Sequence, residues 1–243
     1  MSTLPPPPAS LEINMFNWHS ATALAYAANE HKHARACGRL AIWIDGSVTH
    51  VRSATGFAYQ QVVDFETGAR EWLTRGVRHA SDGAASPEAA EFWGVGYALR
   101  DIALPILEED PVNGDGVTAV AVYTDSMWVA KKLSQVEGKD RSTWAWADEG
   151  LRQVYRDIEL LAERFGVRVE VNWVPGHSGV DGNELANYVA QSTTGASTQN
   201  MGARALVQRK RMEDLVRQRD VRMRAGEHRR RQQREQRLRD SWH

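Results

Sequence analysis

Cysteine is nearly missing from this chain. Cys37 is the only one in 243 residues, so no intramolecular disulfide can form, and a small secreted domain stapled by bridges is excluded. No grouping of Cys and His has the spacing of a zinc site, which removes the zinc-finger class. No stretch approaches the roughly 20 consecutive apolar residues that cross a bilayer, so no membrane partner is expected. Nor is there a self-similar period of the kind that builds solenoids or propellers. Net charge of one sign is missing too, at −1 overall. The opening residues, Met1 to Ser10, form a proline run with neither a basic leader nor an apolar segment, so a soluble, unexported, cytoplasmic protein is the expectation.

What is present suits one globular domain with appended pieces: 42% apolar and 25% charged residues leave ample material for a core. The near-zero charge hides an asymmetry. Residues 1–203 hold 16 Lys and Arg against 25 Asp and Glu, a net of −9, whereas residues 204–243 hold 14 against 6, a net of +8. An acidic body thus carries a basic tail, and basic tails collect phosphates by releasing counterions. The organisation read from these shifts is an N-terminal extension over 1–38, a domain over 39–194, a linker over 195–203 rich in Ser, Thr, Gly, Asn and Gln, and an Arg-rich tail over 204–243.

Within the extension, the proline lead reads as disordered polyproline, and Met15 to Ala36, Ala-rich without Pro or Gly, reads as a short helix outside the main domain. Strand signals then follow at Leu40–Asp45, Ala54–Val63 and Arg70–Arg78, with connections short enough for an antiparallel meander. Ser86-Pro87 has the form of a helix cap with proline at the first helical position, and Phe92, Val95, Leu99, Ile102 and Ile106 recur at helical spacing. Val117–Tyr123 is a continuous apolar run suited to a buried parallel strand, and Thr124-Asp125-Ser126 leads directly into an amphipathic stretch, Met127–Leu133. Trp144–Phe165 predicts a further helix, Val167 to Trp173 an alternating strand, and Asn183–Gln191 a last short helix. The order indicates an α/β fold: a mixed five-stranded sheet, three antiparallel strands and then parallel ones, flanked by helices.

Three acids stand out because they fall inside apolar elements or at their ends. Asp45 interrupts the first strand of the domain, Glu91 opens the apolar face of the first long helix, and Asp125 ends the buried strand. Each has an ordinary alternative: Asp45 starting a turn with Gly46, Glu91 lying partly exposed, Asp125 capping the next helix. Converging buried carboxylates need a compensating cation or must stay partly protonated. Mg2+ fits that need, since it prefers oxygen ligands and is usually held by one or two carboxylates plus substrate phosphate. The joint placement of the acids with Trp173-Val-Pro-Gly-His-Ser-Gly-Val-Asp-Gly-Asn-Glu-Leu-Ala186, a strand running into a glycine-bounded histidine loop and a helix, strengthens the case.

This arrangement resembles type 1 ribonuclease H over about Arg39 to Gln191, on four motifs in order. These are Ile44-Asp45-Gly46-Ser47; Ala90-Glu91 with Ala98-Leu99; Tyr123-Thr124-Asp125-Ser126; and Gly176-His177-Ser178-Gly179 with Gly182-Asn183-Glu184. The resemblance implies an endonuclease that cuts the RNA strand of RNA–DNA hybrids. Asp45, Glu91 and Asp125 would hold two Mg2+ ions, with Mn2+ as a substitute, and His177 would serve proton transfer or product release. It also implies that Gly46, Ser47 and Ser126 meet the nucleic acid, backbone amides near the first two contacting 2′-hydroxyls.

Two departures stand out. The family's fourth carboxylate, ten residues after the loop histidine, is Asn187 here, a neutral and weaker ligand; Asp181 and Glu184 are candidate substitutes. Before Glu91 the chain reads Ser86-Pro87-Glu88, which makes Glu88, one turn away, the chief rival to Glu91. Some relatives grip the duplex with a basic, Trp-containing insertion; the corresponding Ser134–Thr143 is short and mixed in charge, so the tail, with Arg229, Arg230 and Arg231, is the expected replacement. The competing readings are a nucleic-acid-binding protein of the same fold with impaired catalysis, and another nuclease or strand-transfer enzyme of the same superfamily.

Overall fold

A computed structural model describes residues 11–14, 20–33, 38–64, 68–79, 86–134 and 149–195. The chain divides at residue 197, and all of these lie on its N-terminal side. The proline lead, most of the 134–143 segment and the tail with its arginine run lie outside the described residues.

The domain is organised around a six-stranded sheet of order β1-β6-β5-β2-β3-β4, comprising β1 (Leu11–Asn14), β2 (Arg39–Val48), β3 (Ser53–Asp64), β4 (Ala69–His79), β5 (Ala119–Thr124) and β6 (Arg168–Trp173). β2, β3 and β4 pair antiparallel, while β2, β5, β6 and β1 run parallel. β5 is buried at every position, as its unbroken apolar run requires of a parallel strand covered on both faces. The five expected strands are all present.

On one face, Leu40, Ile42, Ile44, Val120, Val122, Val169 and Val171 pack against α2 (Pro87–Tyr97) with its continuation and α6 (Glu149–Phe165), through Val95, Leu99, Ile158 and Leu161. Each fully buried aliphatic side chain there contributes about 2 kcal/mol. The helical rod that starts with α2 passes through a π-helical turn, Ala98–Ala103, into α3 (Leu104–Glu109), followed by the short α4 (Pro111–Gly114). Pro105 accounts for the turn: it has no N–H to give to the Asp101 carbonyl and its ring crowds that group. Arg75 Nη1 donates to the freed Asp101 oxygen at 2.9 Å instead.

The other face is lined by Ala41, Trp43 and Tyr123, with the two rings stacked at 5.0 Å. α7 (Asp181–Thr194) lies across β2 and β3 there, and Gly56 makes this possible, because a Cβ would run into the Ala186 carbonyl on the helix. The same face receives α1 (Ser20–His33), whose Tyr26 ring lies 6.5 Å from that of Tyr123 and whose Glu30 meets Arg39 Nε at 2.9 Å while Arg39 Nη2 meets Glu170. Set between two buried carboxylates, the Arg39 guanidinium is held more firmly charged than usual despite its burial.

The N-terminal segment is therefore not outside the domain, as the sequence suggested. β1 adds a sixth, parallel strand beside β6, and α1 crosses back to β2. At four residues β1 is too short to carry a periodic signal, and the acids that anchor Arg39 come from two different elements, α1 and β6. Other boundaries shift modestly: β2 continues past Asp45 to Val48, and α7 starts two residues before and ends three residues after the predicted range. No described helix is long and apolar enough to cross a membrane.

Candidate active site

Three elements that meet at one end of the sheet bring Asp45, Glu91 and Asp125 together. β2 and β5 are parallel neighbours in register at Trp43 and Tyr123, so Asp45 and Asp125, two residues further on, leave the sheet on the same side. Glu91 arrives from α2, whose start is fixed by Ser86: its Oγ accepts from the Ala89 N–H at 3.2 Å, with Pro87 in the first turn. One carboxylate oxygen from each of the three acids lies within 4.8 Å of the others.

The ordinary alternatives for these acids do not hold. Asp45 starts no turn, since β2 pairs with β3 through Gly46, Ser47 and Val48. Ser126, not Asp125, caps α5 (Met127–Ser134), its Oγ accepting from the Val129 N–H at 3.3 Å. Glu88 is exposed, with its carboxyl held below the usual value by the Ser86 hydroxyl, whereas Glu91 is buried among the other acids.

The electrostatics follow from crowding three carboxylates where little water reaches. Burial, then the charges of Asp125 and Glu91, hold Asp45 well above the usual carboxylate range, against the Gly46 N–H. Burial and the Asp125 charge push Glu91 up to about 8, although the Thr124 hydroxyl and the Ser126 N–H favour its ionised form. Asp125 is raised by burial, against the Asn183 amide and His177. The Thr124 hydroxyl donates to Glu91 Oε2, and Thr124 Oγ1 accepts from the Ser126 N–H at 3.1 Å, so one buried threonine joins the end of β5 to the glutamate on α2. A hard, oxygen-preferring divalent cation suits such a donor set, and these three acids are the ones that would hold it.

His177 is exposed, in a left-handed backbone conformation (φ 52°), on the loop between β6 and α7. That conformation is uncommon for a residue with a Cβ, and no sequence signal announced it. The same loop presses Gly176 against Asp125, where a Cβ would overlap the carboxylate. Asn187 lies on α7, half-buried, with its Oδ1 accepting from Gln191 Nε2 at 2.8 Å. The Ser47 hydroxyl is paired with Thr194 Oγ1 at 3.1 Å, so its side chain is turned toward the end of α7. Two features escaped the sequence reading. One is Thr124, whose place in the Thr-Asp-Ser motif gave no sign of its bond to Glu91. The other is an aromatic pair on α2 and α5: Phe92 and Trp128 meet edge to face at 6.1 Å, with Lys132 Nζ 4.2 and 4.7 Å from their ring centroids. Trp128 and Trp93 remain 44% and 42% exposed.

The RNase H family model matches residues 38–194. The chain belongs to the RNase H family. Among individual relatives it is 38% identical over 77 residues to a ribonuclease H of Chromohalobacter salexigens, covering 31% of this chain and 47% of that protein. It is 35% identical over 92 residues to a ribonuclease H of Nitrosomonas eutropha, covering 36% and 56%. The chain thus spans about half the length of the curated relatives it matches. A solved structure, LC9-RNase H1, described as a type 1 RNase H with the type 2 active-site motif, resembles it with a TM-score of 0.46 at 19% identity, over 70% of this chain and 84% of that one.

Proposed function

We propose that this RNase H family protein is a metal-dependent endonuclease that hydrolyses the RNA strand of RNA–DNA hybrids. The observation that carries the reading is the convergence of Asp45, Glu91 and Asp125 from β2, α2 and β5 on one point. Two Mg2+ ions held there, or Mn2+ in their place, would supply Lewis acidity to the attacking water and to the leaving 3′-oxygen. The chain's own residues do the rest. Thr124 fixes the Glu91 carboxylate by donating to it. Exposed on its loop, which packs against Asp125, His177 presents an imidazole suited to proton transfer or to helping the product leave. The exposed Trp128 face, with Lys132 beside it, offers a nucleic-acid strand a stacking surface and a cation. The arginine tail adds a further, sequence-independent grip on phosphate.

The test incubates labelled RNA–DNA hybrid, double-stranded DNA and single-stranded RNA with the parent protein and with Asp125→Asn, in Mg2+, Mn2+ or chelator. Cleavage confined to the RNA of the hybrid, dependent on metal and lost in Asp125→Asn, is the expected result. Preferential cutting of DNA would make this another nuclease of the superfamily, and binding without cutting would make it a nucleic-acid-binding member of the fold.

A further inference from the structure

The site has more negative charge around it than its three converging acids. Glu184, in the first turn of α7, is only 7% exposed, and its charge opposes the ionisation of both Asp45 and Asp125. Its Oε1 accepts from the Gly179 N–H at 3.2 Å, while the same loop, three residues earlier, places Gly176 against Asp125. Beside it on α7 the Asn183 amide, 1% exposed, faces Asp125 and favours its ionised form. Burying a further carboxylate beside acids of like charge is unfavourable; the N-terminus of α7 and the Gly179 N–H offset part of that cost, and a bound cation would offset more. Residue 187, by contrast, is neutral, and its side-chain oxygen is already engaged by Gln191 on its own helix.

We propose, resting on the metal-dependent reading above, that Glu184 supplies the fourth negative charge of this site in place of residue 187, and that the same carboxylate latches the loop carrying His177. The position that usually holds the charge is one helical turn further along α7. Moving the charge to Glu184 keeps it on the helix that closes the site and adds a bond to the loop.

The test measures Mn2+ binding to the full chain by calorimetry, for the parent and for Glu184→Gln, Asn187→Ala and Asp125→Asn, each first matched to the parent by thermal melting. Glu184→Gln keeps the shape and the acceptor for the Gly179 N–H and removes only the charge, so a loss of affinity of about 10- to 100-fold is expected. Asn187→Ala should bind as the parent does. Glu184→Ala, which also removes the acceptor, should in addition speed amide hydrogen exchange at residues 177–179. Parental affinity in Glu184→Gln, or a larger loss in Asn187→Ala, overturns the assignment of the fourth charge. Unchanged exchange in Glu184→Ala overturns the latch. Asp125→Asn separates the two levels: if it too binds Mn2+ as the parent does, the metal reading of the site fails, whereas loss in that variant alone leaves the metal reading standing and removes Glu184 from it.

Discussion

Three acids crowded together, Asp45 and Glu91 buried and Asp125 partly so, should make the metal-free protein an unusually pH-sensitive one. Glu91 titrates at about 8 in the folded chain against 4.5 when unconstrained. Its folded form therefore binds a proton that its unfolded form has already released, and stability is greatest below pH 4.5 and declines as pH rises through the window from 4.5 to about 8. At about 1.4 kcal/mol per pH unit, the cost reaches on the order of 5 kcal/mol near pH 8, and Asp45, raised in the same direction, adds to it. For a domain of this size that is a fall in melting temperature of about 10 °C or more between pH 5 and pH 8 in chelator. Glu91→Gln removes the titration while keeping an oxygen to accept from Thr124, and it relieves Asp45 of one neighbouring charge. It should melt like the parent at pH 5 and well above it at pH 8, and Mg2+ should restore much of the parent's loss by binding the folded state. Thermal melts and urea unfolding of both proteins across this range, with chelator and with Mg2+, read the effect. Parallel pH profiles for parent and variant would refute the account of the buried acids.

Thr124→Val should lower kcat by about 10- to 100-fold by freeing the Glu91 carboxylate, and Thr124→Ser, which restores the donor, should recover most of it in a steady-state assay on hybrid. Gly176→Ala should cost about 100-fold in kcat by displacing the Asp125 carboxylate, yet shift the unfolding free energy by less than about 1 kcal/mol because the position is exposed. Thr55→Val should destabilise by about 1–3 kcal/mol, read by urea unfolding, since the buried Thr55 hydroxyl donates to the Ala90 carbonyl at 2.6 Å and pairs with His79 Nε2 at 2.8 Å. Truncation after Gly202 should raise KM for hybrid and flatten its dependence on salt without changing kcat; an unaltered salt slope would remove the tail from substrate binding.

Much of the fold was legible because local patterns and tertiary demands agree. The apolar run of β5, the Ser86-Pro87 helix start and the alternation of β6 are each short-range signals, and the structure places an element at each. The parts that were missed depend on partners far away in sequence. β1 has four residues and owes its place to pairing with β6, more than 150 positions later. Between Glu88 and Glu91, which sit on one helix face, the sequence favoured Glu91 only through the Ala98-Leu99 spacing of the family it resembles. Packing buries Glu91 beside the other two acids and leaves Glu88 in water.

The sequence by itself determined which chemistry was on offer: three acids set at the ends or inside of apolar elements, a histidine between glycines, and a neutral residue where a fourth carboxylate was expected. Those are properties of residue type and local spacing, fixed before any folding. Only the tertiary structure decided how the charge is shared. Parallel pairing of β2 with β5 aims Asp45 and Asp125 to the same side, α2 brings Glu91 to meet them, and α7 turns Glu184 inward while Asn187 is occupied by Gln191. Coulomb energy depends on distance and on exclusion of water, and neither exists until the chain has packed.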